Sequence, residues 1–264
     1  MNRFQQLFED KNKKAFVPFF MLGDPNAEDS FELIKAAIDA GADALELGLP
    51  FSDPIADGPV IQASAERAIA QGVDIDVCMD IIKKIREYSN VPIGLLIYYN
   101  LLFHQAGEDA YIAMKAAGVD GVLVVDLPIE ESEAHEALLK RHDIGCIQLI
   151  ALNTPEARAK EILSRVTAFA YVVSRFGTTG VRDTFEEGVY DRLNELKQWS
   201  DCALVVGFGV NKAEHVESIF NAGAQGAIIG SAITKLIAEN CDTLPAAKTA
   251  VTALVADCVQ KGAK

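Results

Sequence analysis

The sequence predicts a closed (β/α)8 barrel, the TIM-barrel form of the α/β class, built as one domain across residues 1–264. Three observations predict it. Eight strand-sized apolar runs are each followed by a stretch with helical periodicity. Most of these runs are continuous Val/Ile/Leu rather than alternating, as in parallel strands covered on both faces. The chain has 264 residues, half of them hydrophobic, a size at which α/β barrels of roughly 200–250 residues form one core.

Taken in order, Phe4, Leu7 and Phe8 recur at helical spacing and predict a short amphipathic helix over 2–10, ahead of the barrel. The first strand, 15–22, ends in Gly-Asp-Pro. The next segment opens with acidic Glu28 and Asp29, places Phe31, Ile34 and Ile38 on one helical face, and stops at Gly41. Strand 44–48 follows; Pro59 suits the first turn of a helix running to about Gln71, and a second helix covers 75–88. The alternation continues as strand 93–98 and helix 108–117, strand 121–125 and helix 131–141, strand 145–150 and helix 155–164. Strand 168–173 leads through a Gly/Thr-rich loop to helix 186–198, and strand 203–206 ends in Gly-Phe-Gly before helix 212–222. Strand 226–229 ends in Gly-Ser, then come a short helix near 232–238 and a last helix at 245–260. No stretch reads as a linker or as low complexity.

An internal repeat gives the strands a common register. Ala40-Gly41-Ala42-Asp43-Ala44, Ala117-Gly118-Val119-Asp120-Gly121 and Ala222-Gly223-Ala224-Gln225-Gly226 each join a helix to a strand, with glycine as the left-handed cap. Aligning them puts Glu46, Leu123 and Ile228 at one level, and Gly48, Val125 and Gly230 two residues further along the same face. Gly230 lies in a loop with the composition of a phosphate site at the C-terminal end of its strand, so Glu46 is expected to point into the barrel mouth.

The net charge of −14 and pI near 4.7 argue against nucleic acid and anionic membrane as partners, since both need basic patches. An anionic small substrate stays possible if local donors bind it. Cys78, Cys146, Cys202, Cys241 and Cys258 are scattered, with no CxxC, and read as reduced thiols of a cytoplasmic protein. The first residues lack the apolar core of a signal peptide, and the longest apolar runs are strand-sized.

Residues 45–59 carry the most chemistry. Glu46 is a carboxylate inside an apolar strand, where an unpaired charge is penalised by several kcal/mol. It reads as a general acid/base whose pKa burial raises, with a structural carboxylate tied to backbone donors as the alternative. Asp57, in Ala-Asp-Gly-Pro, reads equally as a catalytic group over the same mouth or as an ordinary turn residue leading into a helix. Asp53, in Ser-Asp-Pro, reads as a turn former or surface contact. Gly177-Thr178-Thr179-Gly180, Gly207-Phe208-Gly209 and Gly230-Ser231 follow three successive strands. Such loops, with a short extra helix aimed at the anion, are how barrels commonly hold phosphate. The run Ala-Phe-Ala-Tyr-Val-Val-Ser-Arg-Phe has no lysine for a Schiff base. His104, His135, His142 and His215 are isolated rather than clustered as metal ligands. There is no G-x-S-x-G elbow and no Walker A motif. What remains is acid/base chemistry without a cofactor or metal on a phosphorylated substrate.

At these residues the sequence resembles the tryptophan synthase α subunit family over essentially its whole length. The most specific match is Leu45-Glu46-Leu47-Gly48-Leu49-Pro50-Phe51-Ser52-Asp53-Pro54 with Ala56-Asp57-Gly58-Pro59. Val17-Pro18-Phe19, Leu22-Gly23-Asp24-Pro25, Tyr171 with Ser174-Arg175, Gly207-Phe208-Gly209 and Gly230-Ser231-Ala232 support it. The resemblance implies retro-aldol cleavage of indole-3-glycerol phosphate to indole and glyceraldehyde 3-phosphate. It implies Glu46 as the proton shuttle and Asp57 as the group that stabilises charge at the indole nitrogen. Phe19, Leu96, Leu123 and Ile228 would wall the indole pocket, with Tyr98 and Tyr171 close by. Gly180, Gly209, Gly230 and Ser231 would hold the phosphate. Loops 50–58 and 175–188 would be lids, with Thr179 meeting Asp57 on closure. The resemblance also implies an αββα complex with a β subunit, which carries pyridoxal phosphate and receives indole through a tunnel. Pro50, Asp53, Asn100, Asp126 and Pro128 match the expected interface, and no pyridoxal lysine belongs to this chain. Three places depart from the family pattern: Phe176 for a smaller residue, Ala151-Leu152-Asn153-Thr154 where a proline is common, and Ile229 where a serine is common. They bear on lid movement and pocket shape. The rival readings are another phosphate-binding barrel of tryptophan or histidine biosynthesis, which would place lysines or paired acids at other strand ends, and a non-catalytic subunit that only activates a partner.

Overall fold

In the computed structural model, residues 2–104, 107–173, 188–207 and 209–262 are described. The strands are β1 (Ala15–Met21), β2 (Leu45–Gly48), β3 (Ile93–Ile97), β4 (Gly121–Val124), β5 (Gly145–Cys146), β6 (Gln148–Ala151), β7 (Ala170–Val173), β8 (Leu204–Gly207) and β9 (Gly226–Ile229). They form one parallel sheet in the order β5-β4-β3-β2-β1-β9-β8-β7-β6. The strand expected at 145–150 is thus recorded as two pieces, and the reason is closure. β5 pairs with β4 and β6 with β7, while the intervening Ile147 donates its N–H to the Val122 carbonyl at 3.0 Å. One continuous segment therefore joins the two edges, and the sheet is a barrel of eight staves.

The helices are α1 (Arg3–Leu7), α2 (Ala27–Asp39), α3 (Pro59–Ala70), α4 (Ile75–Tyr88), α5 (Tyr99–His104), α6 (Glu108–Ala117), α7 (Glu133–Arg141), α8 (Glu156–Arg165), α9 (Gly188–Trp199), α10 (Ala213–Asn221), α11 (Ser231–Glu239) and α12 (Leu244–Gly262). In the three repeat units Gly41, Gly118 and Gly223 have φ of +100°, +102° and +90°, the left-handed stop expected of them. Two features differ from expectation. The helix expected at 131–141 begins at Glu133, after a 3-10 turn over Ile129–Glu131. α5 was not expected, because Tyr-Asn-Leu-Leu-Phe-His directly follows a strand and is too short to show a period.

Side chains sort into two cores. Along β1, Phe16 and Phe20 join the shell between sheet and helices, whereas Ala15, Val17, Phe19 and Met21 fill the barrel interior. On β2, Leu45 and Leu47 belong to the shell, so Glu46 between them points inward. The inward residues fall into layers. Phe19 pairs with Glu46, Glu46 with Gly94 and Gly94 with Gly121, while Leu96 pairs with Leu123. Because the strands tilt, residues at one height shift by two positions across every second strand. Glu46, Leu123, Tyr171 and Ile228 then form one layer, each from an alternate strand, as in other barrels. The level that the repeat predicts is the level that this register gives.

The lower end is sealed by α1. Its Asn2 side chain accepts from Gln5 N–H and the Gln5 side chain returns to Asn2 N–H, a capping box. Phe4 packs edge-on against Phe169, ring centroids 5.2 Å apart, and fills the space left by Gly94 and Gly121. Arg3 and Arg86 both pair with the buried Asp120 carboxylate, at 2.9 and 2.7 Å, tying the plug to the repeat that precedes β4. Replacing Phe4 with Ala is expected to destabilise the fold by about 3–5 kcal/mol through the cavity it opens, read as a lower urea midpoint with an unchanged slope.

Candidate active site

Glu46 is 4% exposed and lies at the upper end of the barrel interior. Burial first, and the Asp57 carboxylate second, push its pKa up to about 8. Asp57 is 7% exposed and sits in the connection between β2 and α3. Burial pushes it up to about 6, opposed by a hydrogen bond from Tyr98. That tyrosine hydroxyl accepts the Ala56 N–H at 3.1 Å, so its own proton goes to Asp57 Oδ2 at 2.9 Å. The bond orients the carboxylate and favours its charged form. At neutral pH the pair is therefore split: Glu46 holds a proton and Asp57 does not. Tyr171, in the same layer as Glu46, is buried with its hydroxyl pKa raised by burial and by the two carboxylates. A Cβ at Gly207 would overlap its hydroxyl, so glycine there lets the ring reach the site.

Two residues beyond Glu46, Leu123, Tyr171 and Ile228 stand Gly48, Val125, Val173 and Gly230. The two glycines flank β1, and a Cβ on Gly48 would come within 2.8 Å of the Phe19 ring. A cleft lies over Phe19, with Gly230 on its wall. Of the expected site residues, Phe19, Glu46, Asp57, Leu96, Tyr171, Gly209, Ile228, Gly230 and Ser231 all line it. One end is acid/base and apolar. The other is the N-terminus of α11, which begins at Ser231 with no acidic residue in its first turn, beside Gly209 in its left-handed conformation (φ +78°). Unpaired N–H groups at a helix start favour an anion, here with no basic side chain among the described residues that line the cleft.

Other expected residues fall differently. Tyr98 is not on the cavity wall; it stands behind Asp57. Leu123 shares the Glu46 layer but faces a neighbouring cavity bounded by Val125 and Leu149. Of the loop expected at 175–188, all but Gly188 lies outside the described residues, Phe176, Thr179 and Gly180 included. Ile61 and Val210 line the cavity without having been singled out. Ile61 had a faint signal, since Ile61 and Ala65 stand one turn apart on α3 and both join the interior core. At the rim, Asp53, Asn100, Asp126 and Pro128 are exposed and Pro50 is buried. Asp126 Oδ1 accepts the Tyr99 N–H at 2.7 Å, which joins the α5 start to the loop after β4. Ile55 and Phe103 are 78% and 72% exposed. Among the described residues, no cluster of three or more His, Cys, Asp or Glu could hold a metal, and no helix is long and apolar enough to cross a membrane.

The model of the tryptophan synthase alpha chain family matches residues 4–263. The tryptophan synthase alpha chain of Methanothermobacter thermautotrophicus is 40% identical, over 90% of this chain and 88% of that one. That of Serratia proteamaculans is 43% identical, over 91% of each. Among solved structures, a chain from the tryptophan synthase a2b2 complex of Pyrococcus furiosus superposes with a TM-score of 0.86 at 35% identity, over 93% of this chain and 98% of that one. A chain from Aquifex aeolicus superposes with a TM-score of 0.90 at 31% identity, over 99% of both.

The raised pKa of Glu46 has a consequence for stability. The folded state keeps a proton that the unfolded chain releases near the ordinary value of 4.5, so stability falls as pH rises from there through about 8. Glu46→Gln is expected to match the parent near pH 4 and to exceed it above pH 8 by on the order of a few kcal/mol. Thermal unfolding across that range checks it, and a difference that does not grow with pH would sink the burial account.

Proposed function

The chain belongs to the tryptophan synthase alpha chain family, which cleaves indole-3-glycerol phosphate to indole and glyceraldehyde 3-phosphate in tryptophan biosynthesis, and on that premise we propose which of its residues carry out the cleavage. The observation that supports the assignment most is one cavity with two carboxyls of split protonation at one end and a helix N-terminus at the other.

In this reading Glu46, protonated, gives its proton to indole C3. The Asp57 carboxylate stabilises the positive charge that appears on the ring N–H. The Glu46 carboxylate then takes the proton of the hydroxyl next to the bond that breaks. The carbon–carbon bond cleaves, its electrons return to the ring, the hydroxyl carbon becomes the aldehyde, and Glu46 ends protonated again. Phe19, Leu96, Ile61 and Ile228 hold the indole, with Tyr171 beside the reacting carbons. Backbone N–H groups at Gly209, Gly230 and Ser231 hold the phosphate, so a strongly acidic protein binds an anion through dipoles rather than side-chain charge. Thr179, Gly180 and Leu123 belong to the same proposal as contacts completed when the site closes.

The proposal extends to assembly. The Pyrococcus furiosus chain comes from an a2b2 complex, and by analogy this chain would work as one barrel domain in a cytoplasmic αββα assembly. The rim carrying Asp53, Asn100, Asp126 and Pro128, together with Pro50 and the exposed Ile55 and Phe103, is the surface offered to the β subunit. The cleavage runs on this chain's own carboxyls, and pyridoxal phosphate chemistry belongs to that subunit.

Steady-state cleavage with the β subunit present tests the assignment. Glu46→Gln and Asp57→Asn are each expected to lower kcat by about 10²–10⁴-fold; a Glu46→Gln variant near the parent rate would end the proton-shuttle reading. The pH profile of kcat/KM is expected to be bell-shaped, with limbs near 6 and 8, because Asp57 must be ionised and Glu46 protonated. Ser231→Asp puts a charge where the phosphate binds, and is expected to raise KM about tenfold or more with a smaller change in kcat.

A further inference from the structure

The connection between β2 and α3 has to hold Asp57 in the cavity with neither strand nor helix to fix it. Its residues 54–57 are restrained from two sides. On one side stands Tyr98, through Ala56 N–H and the Asp57 carboxylate. On the other stands Gln62, four residues past the Gly58 cap of α3. Its side-chain nitrogen Nε2 lies 2.8 Å from the Asp57 carbonyl oxygen and 3.4 Å from that of Pro54. Both neighbours are acceptors, so the amide must present its nitrogen to them. The start of α3 has no side-chain cap, and Pro59 has no N–H to give, so Gln62 is the donor that reaches back from the helix.

The helix that carries Gln62 is itself fixed. Arg67 Nε and Nη2 each lie 2.8 Å from the Asp24 carboxylate at the end of β1, a two-pronged contact. Ile61 and Ala65 pack into the barrel interior. Gln62 therefore bridges an anchored helix and an irregular loop, and it does so without standing on the cavity wall.

We propose that Gln62 is a positioning residue: its side-chain amide clamps the carbonyls of Pro54 and Asp57 and so sets where the Asp57 carboxylate stands relative to Glu46 and the bound indole nitrogen. The inference rests on the role given to Asp57 above. Tyr98 orients the carboxylate and Gln62 fixes the backbone that carries it. Without Gln62 the loop keeps Tyr98 and its own turn bond from Asp57 N–H to the Pro54 carbonyl at 3.0 Å, but loses its side-chain tie to α3, and a displacement of about 1 Å at such a group lowers a rate by roughly 10²-fold.

Gln62→Met keeps the length and helix preference of the side chain and removes the donor. Measured in the full chain with the β subunit, kcat is expected to fall about 10–100-fold while KM stays within about twofold. The melting temperature is expected to stay within about 4 °C, as for the loss of one good half-buried hydrogen bond and one long one. The alkaline limb of the pH profile is expected to move to lower pH, because a displaced Asp57 repels the Glu46 carboxylate less. A purely structural role would lower the melting temperature and leave that limb in place. A kcat within about twofold of the parent, or a loss of kcat with the limb unmoved, overturns the inference. Asp57→Asn is measured alongside. If it keeps the parent kcat, the reading of Asp57 fails; if it is inactive while Gln62→Met is parent-like, only the inference about Gln62 fails.

Discussion

The stagger of the parallel strands, two residues for every second stave, is the constraint on which the site depends. It brings residues from distant parts of the chain to one height: Glu46 from β2, Leu123 from β4, Tyr171 from β7 and Ile228 from β9. It also decides what lies above them. Gly48 and Gly230 fall at the next height on either side of β1: glycine at 48 makes room for the Phe19 ring itself, and Gly230 borders the cleft above it. A barrel with larger side chains at those two positions would be filled there. The two smallest residues of that layer are neighbours across β1, so Phe19 packs close under one and the cleft runs along the other.

The electrostatics follow from the same placement. Glu46 lies deep, so burial dominates its behaviour. Asp57 comes in from a loop and is met by a hydroxyl, so its pKa rises less. Two carboxyls with different surroundings can then occupy opposite protonation states at one pH, which is what the proposed proton shuttle beside a stabilised cation requires. At the far end the N-terminus of α11, with no acidic residue in its first turn, sets a local positive dipole within an acidic chain. The loop that carries Asp57 is irregular backbone pinned by Tyr98, just past the end of β3, and by Gln62 from α3. Precision at a catalytic group on a loop has to come from such contacts, since the loop has no ladder of its own.

Much of the fold was legible in the chain because its signals are local. Periodicity marked the helices, apolar runs marked the strands, and the repeated Ala-Gly units marked the stops, whose glycines have the positive φ expected of them. The element that was missed, α5, spans only Tyr99–His104, too short for a period to show. The division of the fifth stave into β5 and β6 could not be read either. It arises because one half bonds to β4 and the other to β7, a fact about closure.

The site divides along the same line. The sequence by itself determined that Glu46 faces inward, since the Ala-Gly repeat sets it level with Ile228, two residues before Gly230 on the face of the barrel mouth. It also determined that a glycine-rich helix start follows the last strand. Only the tertiary structure decided that Tyr98 serves Asp57 rather than the cavity wall, that Leu123 faces a neighbouring space, and that Ile61 closes the pocket. Only it decided how far each carboxyl departs from its ordinary pKa. The physical reason is that these depend on distances between segments tens of residues apart. A sequence pattern encodes which face a residue takes; the register and tilt of the closed barrel encode what it meets there.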